Sequence, residues 1–148
     1  MSQAAAGGEP RATSPAFLLM TLGGRIREEV EAGLKAEGIS LRHLSALGHL
    51  GPNPGMSYSE LARRARITPQ SMQATLHALE QRGAVVRDTD PGRGRTAELH
   101  VTAEGERLAR AAASVIAGVD ERLRAQIGAE SADALGGTLW TLLRAASE

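Results

Sequence analysis

The 148-residue sequence predicts a mostly α-helical fold with one small β hairpin, and three observations carry that prediction. Apolar residues recur every three or four positions through most of the chain, the spacing that lines one face of a helix. Phe17, Tyr58 and Trp140 are the whole aromatic set, so the core must come from Leu, Val, Ile, Met and Ala, and Ala and Leu favour helix. Only between Val85 and Val101 does the pattern change to strand-like alternation, around a turn rich in Gly, Pro and Arg.

The elements follow in order. Residues 1–14, rich in Ala, Gly and Ser, read as a disordered tail. Pro15 opens the first helix, with Ser14 as its cap. Leu18, Leu22, Ile26, Val30 and Leu34 form a stripe at a spacing of four, and Gly38 ends the helix near Lys35. Phe17 and Met20 mark a second apolar face, suited to a partner chain. Ser40 caps a second helix carrying Leu41, Leu44, Leu47 and Leu50, and GPNPG at 51–55 stops it. His43 and His49 lie on this helix six residues apart, so they do not share a face and make poor joint metal ligands.

The stretch from Ser57 to Thr102 organises the rest. Ser57 and Glu60 have the spacing of a capping box, with Met56 and Leu61 placed as its hydrophobic staple. That helix is brief and ends around Ala65. Thr68-Pro69 then caps a second helix, running from Thr68 to Arg82, after about three residues, which is a helix-turn-helix signature. Met72, Leu76 and Leu79 form its buried side. The opposite side carries Gln70, Ser71, Gln73, Ala74 and His77, uncharged groups that include the amides and hydroxyls needed to read base edges.

Gly83 ends this helix, and Val85 and Val86 begin a strand. Ala97, Leu99 and Val101 alternate with Glu98 and His100 in the returning strand. The tip between them, DTDPGRGRT, turns at Asp90-Pro91-Gly92 and presents Arg93 and Arg95. A hairpin in this place is a wing whose arginines can reach phosphates or a narrow minor groove. Thr102 caps a long helix with the stripe Leu108, Ala112, Val115, Val119 and Leu123, and Gly128 ends it. Ser131 opens the last helix, with Leu135, Leu139, Trp140, Leu142 and Leu143. Gly136-Gly137 inside it, unfavourable by roughly 1 kcal/mol per glycine, is expected to kink or delay it.

Composition narrows the function classes. Seventeen basic and seventeen acidic residues give no net charge, but residues 57–96 hold seven arginines against four acids. Phosphate attraction is therefore expected from Arg63, Arg64, Arg66, Arg93 and Arg95, with Thr68 completing the DNA-facing set. Cysteine is absent, which removes disulfides, thiolate metal sites and cysteine redox sensing. No glycine-rich phosphate loop, HExxH or Ser-His-acid set is evident, so neither an enzyme, a cofactor nor a metal is expected. The absence of a signal peptide or long apolar span points to a cytoplasmic protein.

With that order explicit, the chain resembles the MarR family of winged-helix regulators from about Pro15 to Ala146. The matching pieces are SELARRARIT, SMQATLHALEQRGAVVR and RGRTAELHVTAEGERL, with Arg95 seven residues before Thr102. One departure is Arg93, where the family commonly has an acid. The resemblance implies a homodimer that binds a pseudo-palindromic operator in double-stranded DNA, usually as a repressor, and is often released by a small-molecule effector. Residues 15–148 would form one such domain, with 57–102 the winged helix-turn-helix and 15–38 and 103–146 the dimerisation helices. Phe17, Met20, Arg27, His43 and Leu47 are the candidate ligand-pocket residues. The competing reading is a winged-helix protein-interaction module without sequence-specific DNA binding.

Overall fold

A computed structural model describes residues 14–88 and 97–146. The described elements are α1 (Pro15–Ala36), α2 (Leu41–Leu50), α3 (Tyr58–Ala65), α4 (Pro69–Gln81), β1 (Val85–Asp88), β2 (Glu98–Val101), α5 (Ala103–Ile127) and α6 (Ala129–Ala145). The mostly α winged helix-turn-helix expected from the sequence is the fold observed. No described helix is long and apolar enough to cross a membrane.

Each helix of the central unit starts where a hydroxyl can accept from an otherwise orphaned backbone amide. Ser57 Oγ accepts from Glu60 N at 3.3 Å, and Thr68 Oγ1 accepts from Ser71 N at 3.1 Å. Thr102 Oγ1 accepts from Gly105 N at 3.2 Å and donates to the Gly83 carbonyl at 2.5 Å. That second bond joins the start of α5 to the turn that follows α4. Met56 and Leu61, the expected staple, are both buried.

β1 and β2 pair antiparallel, with Val85 opposite Val101 and Asp88 opposite Glu98. A third short segment, not foreseen from the hydropathy pattern, lies beside them. Leu99 N donates to Met56 O at 3.2 Å and Gly55 N to Leu99 O at 2.9 Å, so the chain before α3 bridges onto β2. This seals the hairpin's base onto the core. Leu61, Met72, Leu76, Leu79, Leu99 and Leu108 are fully buried together there.

α5 runs from this core to α1 and α6. A methyl on Gly33 of α1 would lie 2.5 Å from Val115 Cγ1 of α5, so the two helices pack closely at that point. Arg122 of α5 adds a two-pronged pair to Glu29 of α1, at 3.0 and 2.5 Å.

Several expectations need correction. The last helix begins at Ala129, two residues before Ser131, because Gly128 (φ 84°) ends α5 and starts α6 in a single residue. Gly136-Gly137 do not interrupt it; Thr138 and Thr141 hydroxyls donate to the carbonyls of Ala134 and Gly137 within a continuous helix. Ala97 lies just outside β2. The α1 stripe is buried only in its second half: Val30 and Leu34 are in the core, while Leu18 and Leu22 are exposed because α1 extends beyond the core of its own chain. Glu60 does not complete the capping box as drawn, since its carboxylate is held by Arg63 and Arg64.

His43 supplies the reciprocal half of a box where it was not expected. Ser40 N donates to His43 Nδ1 at 3.1 Å, so a histidine stands where glutamate or glutamine usually does. This fixes the neutral tautomer with its proton on Nε2. Burial holds the His43 imidazole below its ordinary pKa, the Arg82 charge pushes the same way, and Glu31 opposes them.

Two predictions follow from this packing. A methyl on Gly105 would collide with the Ala84 carbonyl oxygen and approach Val101 Cγ1 to 2.6 Å, whereas one on Gly118 in the same helix would meet nothing within 4 Å. Gly105→Ala should therefore cost about 1–3 kcal/mol or more, while Gly118→Ala should be neutral or stabilising by up to about 1 kcal/mol, both read by denaturant unfolding. For His43, the unfolded imidazole binds a proton near pH 6.5 and the folded one only at lower pH. Its contribution to stability is complete above about pH 6.5 and is lost as pH falls through the folded pKa. The melting temperature should thus drop more between pH 7 and pH 5 in the native protein than in His43→Gln; parallel curves would contradict this role.

Candidate nucleic-acid interface

α4 is the best-defined candidate for a reading element. Met72, Thr75, Leu76 and Leu79 are buried and fix which side faces outward. Gln70, Gln73, Ala74 and His77 are exposed, and none of their side chains is tied by a hydrogen bond or ion pair among the described residues. Ser71 differs from the rest of the predicted set. It is half-buried, its hydroxyl accepts from Thr68 Oγ1 at 3.0 Å, and its amide completes the cap. Thr68 and Ser71 therefore order the start of the helix, and Gln70, Gln73 and His77 are left as the free polar groups. Thr75, missed in the sequence reading, can be buried because its hydroxyl donates to the Ser71 carbonyl at 2.9 Å.

α3, which packs against α4, carries exposed arginines. Arg63 donates to Glu60 through Nε (3.1 Å) and Nη2 (2.6 Å), and Arg64 Nε donates to the same carboxylate at 3.0 Å. These hydrogen bonds, Arg63's first, hold the Glu60 carboxyl below its ordinary pKa. Both arginines remain largely exposed, so the pairing moderates their charge without hiding them. The spacing was legible: Glu60 precedes its partners by three and four residues on one helix. Arg66 is exposed and unpaired among the described residues, and it sits in the left-handed region (φ 54°) that ends α3.

Arg93 and Arg95, with the neighbouring Asp90, lie outside the described residues. At the base of the wing, Arg87 Nε donates to Glu80 Oε1 of α4 at 3.0 Å. This link between wing and helix was not foreseen from the sequence.

The five candidate pocket residues occupy different surroundings. Leu47 is 2% exposed within the core, and His43 is half-buried in the cap of α2. Phe17 and Met20 are exposed on the first turns of α1, Met20 at 77%. Arg27 borders a cavity of about 370 Å³ shared with Leu41, Arg42, Ser45, Ala65 and Ile67. That cavity lies between α1, α2 and the α3–α4 turn, and two arginines are among its lining residues. Among the described residues, no group of three or more His, Asp or Glu is placed to hold a metal ion.

Comparison with known proteins agrees with this geometry. A sequence model of the MarR family matches residues 37–96. The HTH-type transcriptional repressor Rv2887 of Mycobacterium tuberculosis is 39% identical over 113 residues, covering 76% of this chain and 81% of the repressor. The crystal structure of Rv2887 in complex with DNA superposes with a TM-score of 0.75 at 34% identity, covering 88% of this chain and 98% of that one. Its complex with salicylic acid gives 0.71 at 35% identity, over 88% and 96% of the two chains. The transcriptional repressor CouR, bound to a 23-mer DNA duplex, gives 0.78 at 28% identity, over 92% and 96%. With this likeness extending from the reading helix through the flanking helices, the chain belongs to the MarR family of winged helix-turn-helix transcriptional regulators.

Proposed function

We propose that this protein is a sequence-specific DNA-binding repressor, acting in the cytoplasm as a homodimer on a pseudo-palindromic operator. One observation carries the proposal: a capped helix with its other side buried in the core projects an uncharged polar face, and the helix packed against it carries exposed arginines. Glutamine can pair bidentately with adenine, and a face without charge can enter a groove without a fixed preference for phosphate. Arg63, Arg64 and Arg66 from α3, and Arg93 and Arg95 from the wing, supply the attraction to the backbone. The role is regulatory rather than enzymatic.

The second copy is supported by apolar surface that one chain leaves exposed. Phe17, Leu18, Leu19, Met20 and Leu22 of α1, with Trp140 and Leu142 of α6, are all exposed. A cavity of about 580 Å³ lined by Leu18, Leu19, Leu22, Leu135, Leu139 and Leu142 runs between these two helices. Apolar surface on this scale marks an interaction site. A dimer through α1, α5 and α6 would hold two α4 helices at the roughly 34 Å separation that adjacent major grooves require.

The release signal we propose is a small carboxylate. The Arg27–Arg42 cavity offers two guanidinium groups and the Ser45 hydroxyl beside apolar walls of Leu41 and Ile67. Bidentate pairing with arginine suits a carboxylate, and the similar protein Rv2887 forms a complex with salicylic acid.

Selection of bound sequences from a random duplex pool tests this reading. It should recover a two-fold symmetric motif, and Gln73→Ala should change the preference among motif variants rather than weaken all equally. Arg95→Ala should weaken binding to every sequence and lower the salt slope by about one unit. Recovery of no motif, with no salt-sensitive shift on any duplex, would instead assign the fold to protein interaction.

A further inference from the structure

We propose that Arg82 is the positioning residue that sets the angle of the recognition helix against the frame made by α1 and α5; this rests on the DNA-reading function proposed above. Arg82 is the last, capping residue of α4. Its guanidinium Nη1 donates to the Gly38 carbonyl at 2.6 Å, a bond between residues 44 positions apart. Gly38 turns the chain from α1 into α2 in the left-handed region (φ 67°), and a methyl there would lie 2.7 Å from Arg82 Nη1. The glycine thus makes the turn and leaves room for the guanidinium.

The neighbouring residue, Glu37, is held by a second arginine. Arg107 of α5 donates to Glu37 at 3.3 Å and forks Glu104 at 2.9 Å through both Nε and Nη2. The 37–38 turn is therefore clamped by two arginines, one from the recognition helix and one from α5. It also sits at the carbonyl end of α1, where the helix dipole favours a cation. Electrostatic influence of Arg82 on both His43 and Glu104 agrees with its place at this junction.

Apolar packing selects the buried side of α4 more sharply than it sets the angle. The buried residues of α4 run from Met72 to Leu79, and hydrophobic contact has little directionality. A 13-residue helix is about 20 Å long, so a tilt of about 10° would move one end by about 3 Å, beyond the tolerance of a hydrogen bond to a base. A directional, charge-assisted bond at the far end from Gln70 opposes that tilt, alongside the Arg87–Glu80 pair and the bonds of Thr102 to the Gly83 and Ala84 carbonyls. Arg82 acts through the helix, without touching DNA.

The test compares Arg82→Met and Arg82→Lys with the native dimer on its selected duplex and on random duplex, over a range of salt. Lysine can still donate to the Gly38 carbonyl; methionine cannot. Arg82→Met should lose about tenfold or more on the selected duplex and far less on random duplex, with an unchanged salt slope, while Arg82→Lys stays within about threefold. As a readout without DNA, the absence of cysteine allows a single spin label at Gln73→Cys. The distance distribution between the two labels should broaden with Arg82→Met and stay narrow with Arg82→Lys. Equal affinity and equal distributions in all three proteins would overturn the proposal, as would a slope lowered by about one unit, which marks a phosphate contact. A native protein that binds no duplex would instead overturn the DNA-reading function itself.

Discussion

The structure depends on the meeting of the first turn of α5 with the turn that ends α4. Thr102 N donates to Ala84 O at 3.0 Å while its hydroxyl donates to Gly83 O. Gly105 lies so close to the Ala84 carbonyl that no side chain fits between them. This contact joins the recognition helix, both strands of the wing and the long helix α5 at one point. Because α5 continues to α1 and α6, the reading face is connected to the flanking helices through few intervening groups. A change in spacing at the flanking helices can therefore reach the DNA-facing side as a rigid displacement.

Charge is divided with similar economy. The chain has no net charge, and its exposed reading face has none either. The arginines that can meet phosphates stand on α3 and in the wing segment, and Glu60 holds two of them. A carboxylate placed there limits indiscriminate attraction to any duplex and orders the guanidinium groups. Arg87 paired with Glu80 does the same at the base of the wing. In the proposed reading, specific recognition rests on Gln70, Gln73 and His77; the buried residues beneath them select the outward side of α4, and Arg82 sets its angle.

Much of this was legible in the sequence because it is local. Ser57, Thr68-Pro69 and Thr102 announce helix starts through bonds spanning three residues, and the alternation of Glu98 to Val101 announces a strand. What was missed depends on chain segments far apart in sequence. Arg82 finds Gly38, Arg107 finds Glu37, and Met56 bridges to Leu99, none of which a periodic pattern encodes. Gly128 shows another failure: one residue both ends and begins a helix, so the missing linker shifted the expected boundary. The exposed half of the α1 stripe was read correctly as apolar, but pattern alone does not say whose chain covers it. Helix and residue type alone do not locate a pocket: the fold distributes Phe17, Met20, Arg27, His43 and Leu47 over core, cap and surface.

In the proposed dimer, the flanking helices hold two copies of α4 at the spacing of adjacent major grooves. Hydroxyl-radical footprinting on the selected duplex measures that spacing. Two symmetric protected segments on one face of the DNA are expected, with centres about 10 base pairs apart. A single protected segment, or two segments on opposite faces, would contradict it.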